Sequence, residues 1–162
     1  LIVGTVDEIR DVVYSVSPKT AQTRFDFAEA RDHWSYRNIV DKGYGNQDCL
    51  DFSFTGADES LNSSFCYWTN EQFNRVILDA DIASDTSDSG LACRLVANLY
   101  DGLGHGSEHI VKSEPIEFTL HNGRGQTRIE IDKSKLKGRG VFGFSIAFGG
   151  RGRAKIYSLT IE

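Results

Sequence analysis

Between residues 54 and 83 the chain reads FTGADESLNSSFCYWTNEQFNRVILDADIA, and Tyr67 and Trp68 sit side by side between segments that alternate apolar and polar residues. Sugar rings present C–H faces that stack on aromatic rings and hydroxyls that need planar polar partners, so exposed Tyr or Trp beside Asn, Gln, Asp, Glu or Arg is the side-chain set a glycan requires. The residues of this kind are Tyr36, Tyr44, Tyr67, Trp68 and Tyr100, with Asn46, Gln47, Asn70, Gln72, Asn98, Arg94 and His105 as polar company. Neighbouring residues of a strand point to opposite faces, so only one of Tyr67 and Trp68 can be core. The polar run that follows them, TNEQ, selects Trp68 as the outward ring. The expected ligand-binding set is therefore Trp68, Tyr67, Arg94, Asn98, Tyr100, Tyr44 and Gln72; Arg94, Asn98 and Tyr100 share the outward face of one expected strand. Trp34 is expected to plug the core.

Catalytic chemistry has less to stand on, and no catalytic residue is assigned. His33, His105, His109 and His121 form neither a metal-ligand spacing nor a partner set for a nucleophile, and GHGSEH, which holds His105, Glu108 and His109, reads as a glycine-rich loop. Asp79 and Asp81 project from one face of a single strand, whereas glycosidase carboxylates flank a bond from different elements, ~5–9 Å apart. Asp85 and Asp88 in DTSDSG read as a polar turn rather than a weak calcium-binding loop. Cys49, Cys66 and Cys93 lack the spacing of a zinc site or a disulfide framework and read as buried thiols. A Cys66–Cys93 bridge stays open for an exported protein.

The elements that must carry these residues are strands. Period-two alternation runs through RFDFAEA, CLDFSF, RVILDADIA, LACRLVANLY, PIEFTL, TRIEID and VFGFSIAF and ends in AKIYSLTIE, with turns at Asp101-Gly102 and HNGRG. The expected fold is all-β, an antiparallel two-sheet sandwich or jelly roll. Its core should include Phe25, Phe27, Phe52, Phe54, Leu78, Leu95, Phe118, Phe142, Phe144 and Ile146. Opposite the aromatic stripe of VFGFSIAF stand Gly143, Ser145 and Ala147, a strand face without bulk that leaves room for a ligand or a close neighbour. DKSKLKG, around Leu136, could hold one helical turn.

At 162 residues the chain is one domain's worth, enough to bury roughly two thirds of its unfolded surface. The sandwich is expected over residues 23–162, with 1–22 an arm or a strand joining a preceding domain. No apolar run reaches the ~20 residues of a membrane span. A chain with no Met even at its first position reads as a piece of a longer polypeptide. The net charge of −5 hides an asymmetry: Arg124 to Lys155 holds nine basic residues against Glu130 and Asp132, a surplus of seven, and the remainder carries −12. Such a segment could meet an anionic ligand or an acidic neighbouring subunit, or form a solvated strand face. An acidic chain without a recognised binding motif is not a nucleic-acid binder.

As an ordered set, the segments from about residue 23 to 162 resemble the jelly-roll carbohydrate-binding modules appended to xylanases and other glycoside hydrolases. The resemblance is carried by FDFAEARDHW at the first strand and GFSIAFGGRGRAKIYSLTIE at the last. It implies a non-catalytic, extracellular accessory module that binds a polysaccharide, anionic if the basic segment takes part, and needs no cofactor. The calcium site of those modules uses an acidic pair after the aromatic of the last strand. Here Ser158 and Leu159 follow Tyr157, so a structural calcium is doubtful although Asp26 and Glu29 stand at the other end. The architecture also resembles accessory and C-terminal domains of bacteriophage tailspikes, which implies the alternative of a virion-associated structural, oligomerising or receptor-binding domain partnered by other domains or subunits.

Overall fold

The structure, a computed structural model, describes residues 22–27, 30–41, 49–56, 58–64, 66–100, 110–137 and 140–162. The expected N-terminal arm up to residue 21, Glu29, Tyr44, Asn46, Gln47, His105 and His109 lie outside them. Among the described residues the strands are β1 (Arg24–Phe25), β2 (Ser35–Arg37), β3 (Val40–Asp41), β4 (Leu50–Phe54), β5 (Ser60–Asn62), β6 (Tyr67–Thr69), β7 (Arg75–Ser84), β8 (Leu91–Tyr100), β9 (Ile110–Lys112), β10 (Ile116–Leu120), β11 (Gly123–Glu130), β12 (Gly140–Gly149) and β13 (Gly152–Ile161). Turns of 3-10 helix span Ala30–His33 and Lys133–Lys135; the second is the helical turn expected around Leu136 and is capped by the Asp132 side chain.

The strands form two antiparallel sheets, as expected for the sandwich. One is ordered β11-β7-β13-β4-β3, with β1 also on β13; the other is ordered β10-β8-β12-β5-β2, with β6 also on β12 and β9 also on β8. They are called sheets A and B below. In each sheet one long strand is flanked on the same side by two short ones in succession, β4 and β1 along β13, and β5 and β6 along β12.

Alternation in the sequence becomes alternation in burial. In β8 Leu91, Cys93, Leu95, Ala97 and Leu99 are buried, while Ala92 and Arg94 are exposed and Val96, Asn98 and Tyr100 half-buried. Two aromatic groups fill the space between the sheets. Trp34 meets Phe25, Phe27 and Phe144 at centroid distances of 5.3, 5.4 and 5.5 Å. Farther along, Phe148 stacks on Phe54 at 5.1 Å and meets Phe52 at 5.3 Å. Trp34 is thus core, as expected, and so are Phe25, Phe27, Phe52, Phe54, Leu78, Leu95, Phe144 and Ile146, whereas Phe118 is partly buried against this core.

All three cysteines are free, so Cys66 and Cys93 are not bridged. Burial pushes the Cys93 thiol up to about 12, which keeps it protonated and unreactive at neutral pH. No helix among the described residues is long and apolar enough to cross a membrane.

The basic residues of the C-terminal segment do not form one uniform patch. The register of sheet A sets Lys155 between Asp51 and Asp81 and pairs Arg124 with Asp81. Arg124 then donates to both oxygens of Asp79 (2.9 and 3.0 Å) and lies 3.6 Å over the Tyr157 ring. Arg153 donates to both oxygens of Asp51 (2.8 and 2.6 Å), and Arg151 pairs with Asp85 at 3.7 Å. Three of the nine basic residues, Arg124, Arg151 and Arg153, are thus each paired with an aspartate from elsewhere in the chain.

The Asp51 pair also sets a pH dependence. Hydrogen bonds from Arg153 hold the Asp51 carboxyl below its ordinary value of 3.8, outweighing the opposite effect of burial. A pKa lower in the folded than in the unfolded chain means that the stabilisation is complete above the ordinary value and is lost as pH falls through the folded one. Asp79 beside Arg124 acts in the same sense. The urea midpoint should therefore drop below about pH 4, and Asp51→Asn should give a lower plateau with a shallower acid limb. An acid limb of unchanged slope in Asp51→Asn would remove this pair from the account.

Candidate functional site

The outer face of sheet B gathers most of the expected residues. Trp68 pairs with Val141 and Tyr67 with Phe142 across β6 and β12. Val141 is core, so Trp68 is drawn inward with it and Tyr67 is left on the outer face, half-buried. Trp68 is 0% exposed, and its indole nitrogen donates to the Gln22 carbonyl at 2.9 Å. The two rings do face opposite ways, but the expected orientation is reversed. Trp68 belongs to the core and offers no stacking surface.

Phe142 is a second correction. Val141 pairs with Leu99 and Phe144 with Ala97, so two residues of β12, Phe142 and Gly143, oppose the single Asn98 of β8. This bulge interrupts the alternation and turns Phe142 away from the core cluster. On the outer face Phe142 is only 7% exposed, because Tyr67 covers it with ring centroids 6.1 Å apart. Gly143 takes the left-handed conformation (φ 82°) that the bulge requires, and a Cβ there would stand 3.0 Å from the Ser63 hydroxyl.

Asn98 holds this bulge more than it offers itself to solvent. Its amide nitrogen donates to the Phe142 carbonyl at 3.4 Å, and its carbonyl accepts from Lys112 Nζ at 3.2 Å. On the other side of β12, Ser63 Oγ accepts from the Phe144 backbone N–H and Ser63 N–H donates to the Phe144 carbonyl, both at 2.9 Å.

Past the bulge the face has little bulk. Ser145 lies between Asn62 and Val96, and Ala147 between Ser60 and Arg94; both are half-buried. This is the open strand face expected at Ser145 and Ala147, though Gly143 is covered. Aromatic residues mark one end, where Gly140 stands between Thr69 and Tyr100. Charged residues mark the other, where Arg94 pairs with Glu117 and Arg37 with Ser60. A shallow depression of about 340 Å³ opens there between Arg94, Glu117, Thr119, Ala92 and Gly149. From Tyr100 to Arg94 the face runs about 20 Å along β8.

Tyr67, Arg94, Asn98 and Tyr100 are thus brought to one face. Gln72 lies in the turn after β6, where its side-chain oxygen accepts from Thr69 N at 2.9 Å, and Tyr36 turns inward against Phe52 at 5.3 Å. Sequence reading missed Phe142, Ser60, Asn62, Arg37, Glu117 and Gly140 as parts of this face. A glycine within the alternating strand, Gly143, is the signal that could have located the bulge.

Among the described residues no group of three or more His, Cys, Asp or Glu is placed to hold an ion, and Asp79, half of the weighed carboxylate pair, is engaged by Arg124.

No protein-family model and no curated protein sequence matches the chain. Solved structures do match its fold. The chain is similar to a carbohydrate-binding module, CBM28, described as specific for non-crystalline cellulose, with a TM-score of 0.55 at 12% identity, covering 88% of this chain and 94% of that one. It is similar to the module CtCBM11 with a TM-score of 0.50 at 12% identity, covering 88% and 96%. A family 6 module of Cellvibrio mixtus lichenase 5A, determined with cellotriose, has a TM-score of 0.47 at 10% identity, covering 88% and 98%. The fold is one shared with carbohydrate-binding modules, and nothing among these neighbours supports the tailspike resemblance.

Proposed function

We propose that this chain is a non-catalytic polysaccharide-binding module whose ligand lies along the outer face of sheet B. The observation that carries this reading is the composition of that face: Tyr67 and Tyr100 at one end, Arg94 and Glu117 at the other, and between them a floor of Ser60, Asn62, Ser145 and Ala147. Tyrosine rings supply a stacking surface, small residues leave the height of a chain above the sheet, and the polar residues meet hydroxyls. A face of about 20 Å is long enough for several sugars in a row. The sandwich shared with carbohydrate-binding modules supports the reading at the level of fold.

The ligand is read as a neutral polysaccharide. Arg124, Arg151 and Arg153 are each paired with an aspartate, and two of those pairs lie on sheet A, away from this face. Isothermal titration or depletion isotherms with amorphous cellulose, xylan and polygalacturonate test both points. A neutral polysaccharide should bind with little dependence on salt, because exposed charges are screened over ~8 Å at physiological ionic strength. Tyr67→Ala should weaken that binding about ten- to a hundredfold, the effect of removing one contact ring. Binding of polygalacturonate alone, lost as salt rises, would restore the anionic alternative. A domain that binds none of the three and runs as a trimer in light scattering would favour the oligomerising one.

A further inference from the structure

We propose that Gly140 is a positioning residue for the Tyr67 ring: its missing side chain is the seat across which the ring lies, and filling that seat drives the ring off the face. The claim that this matters for binding rests on the polysaccharide reading above.

Gly140 is the first residue of β12, buried, in antiparallel register with Thr69 on one side and Tyr100 on the other. Among the described glycines it is not one of those with positive φ, unlike Gly143, so its backbone conformation is open to an L-residue. What excludes a side chain is the Tyr67 ring. A Cβ at 140 would stand 2.5 Å from Tyr67 Cζ and 2.8 Å from Cε2, with the phenol oxygen also in contact, and every one of these near atoms belongs to that ring. Glycine inside a strand otherwise weakens it, through lost backbone entropy and the absence of a packing group, and it often marks a close approach. Here the approach is by a side chain from two positions away in register: Tyr67 pairs with Phe142 and reaches diagonally to Gly140.

Phe142 limits where the ring can go. Phe142, turned outward by the bulge, lies beside it at a centroid distance of 6.1 Å and 58° to its plane, which closes the direction toward the small-residue floor. With a methyl group at 140 the ring must rotate away from β12 into solvent. The obstructing atoms are the far end of a side chain, so the backbone can stay and the domain should still fold.

Two measurements separate the parts of this proposal. The first needs no ligand. In the parent, the Gly140 α-protons should show a ring-current shift that disappears in Tyr67→Leu; if they are the same in both, the ring is not seated on Gly140 and the proposal is overturned. The second uses depletion isotherms on whichever of amorphous cellulose, xylan and polygalacturonate the parent retains. Gly140→Ala should lower affinity about tenfold while its melting temperature stays close to the parent's, and the same substitution in a Tyr67→Leu background should cost nothing further. An undiminished affinity in Gly140→Ala, or an equal loss in both backgrounds, overturns the link to binding. A parent that binds no polysaccharide overturns the proposed function instead, and the seat of the ring is then decided by the α-proton shift alone.

Discussion

Trp68→Ala is expected to lower stability by about 3–5 kcal/mol, which in a domain of this size lowers the melting temperature by roughly 6–20 °C. The indole is fully buried, with ring centroids 5.8 Å from Phe73, 5.9 Å from Phe144 and 6.4 Å from Phe25. Its removal leaves a cavity that rigid neighbours on both sheets cannot close. It also strands the Gln22 carbonyl that now accepts the indole N–H, and with it the tie between the approach to β1 and the core. Thermal melting followed by circular dichroism is the check, with Trp34→Ala alongside. Both variants should melt well below the parent, and a Trp68→Ala protein that melts with the parent would put that ring back on the surface.

Phe144→Ala is expected to cost a comparable amount, about 3–5 kcal/mol, for a related reason. Phe144 is the residue at which β12 returns to its inward phase after the bulge, and its ring touches Trp34, Trp68 and Phe73 at 5.5–5.9 Å. The informative comparison is Phe142→Ala, two residues earlier and of the same type. Phe142 sits outside the core cluster under Tyr67, so its loss should destabilise less, and it should weaken polysaccharide binding by removing the support of that ring. Urea unfolding of the two variants decides the matter: equal losses of stability would mean that Phe142 faces inward and that β12 carries no bulge.

These two phenylalanines also show where reading the sequence stops. The long strands are legible because a ten-residue alternation such as that of β7 or β8 can be buried in only one phase, and the residues expected inward there are inward. The phase of a short strand is not legible in the same way. β6 has three residues, so alternation separates Tyr67 from Trp68 without saying which is core. That choice is made by its partner, where Val141 is already committed to the interior. A bulge is a further step removed, since one inserted residue flips Phe142 relative to Phe144 with no change in the hydrophobic pattern. The candidate site follows the same division. Arg94, Asn98 and Tyr100 were readable as one face of one strand; the neighbours that complete the face come from β2, β5, β6, β10 and β12 and depend on register.

The burial of Trp34 and Trp68 has a spectroscopic consequence. They are the chain's two tryptophans, and both sit among phenylalanine rings between the sheets. Their emission should be blue-shifted, protected from iodide and lost in one step with the fold. For a ligand lying on sheet B they are on the wrong side of a layer of backbone, so tryptophan emission should stay constant through a polysaccharide titration while the tyrosine absorption difference spectrum responds. The chain thus carries two optical reporters that are separated by the sheet itself, one for folding and one for the bound state.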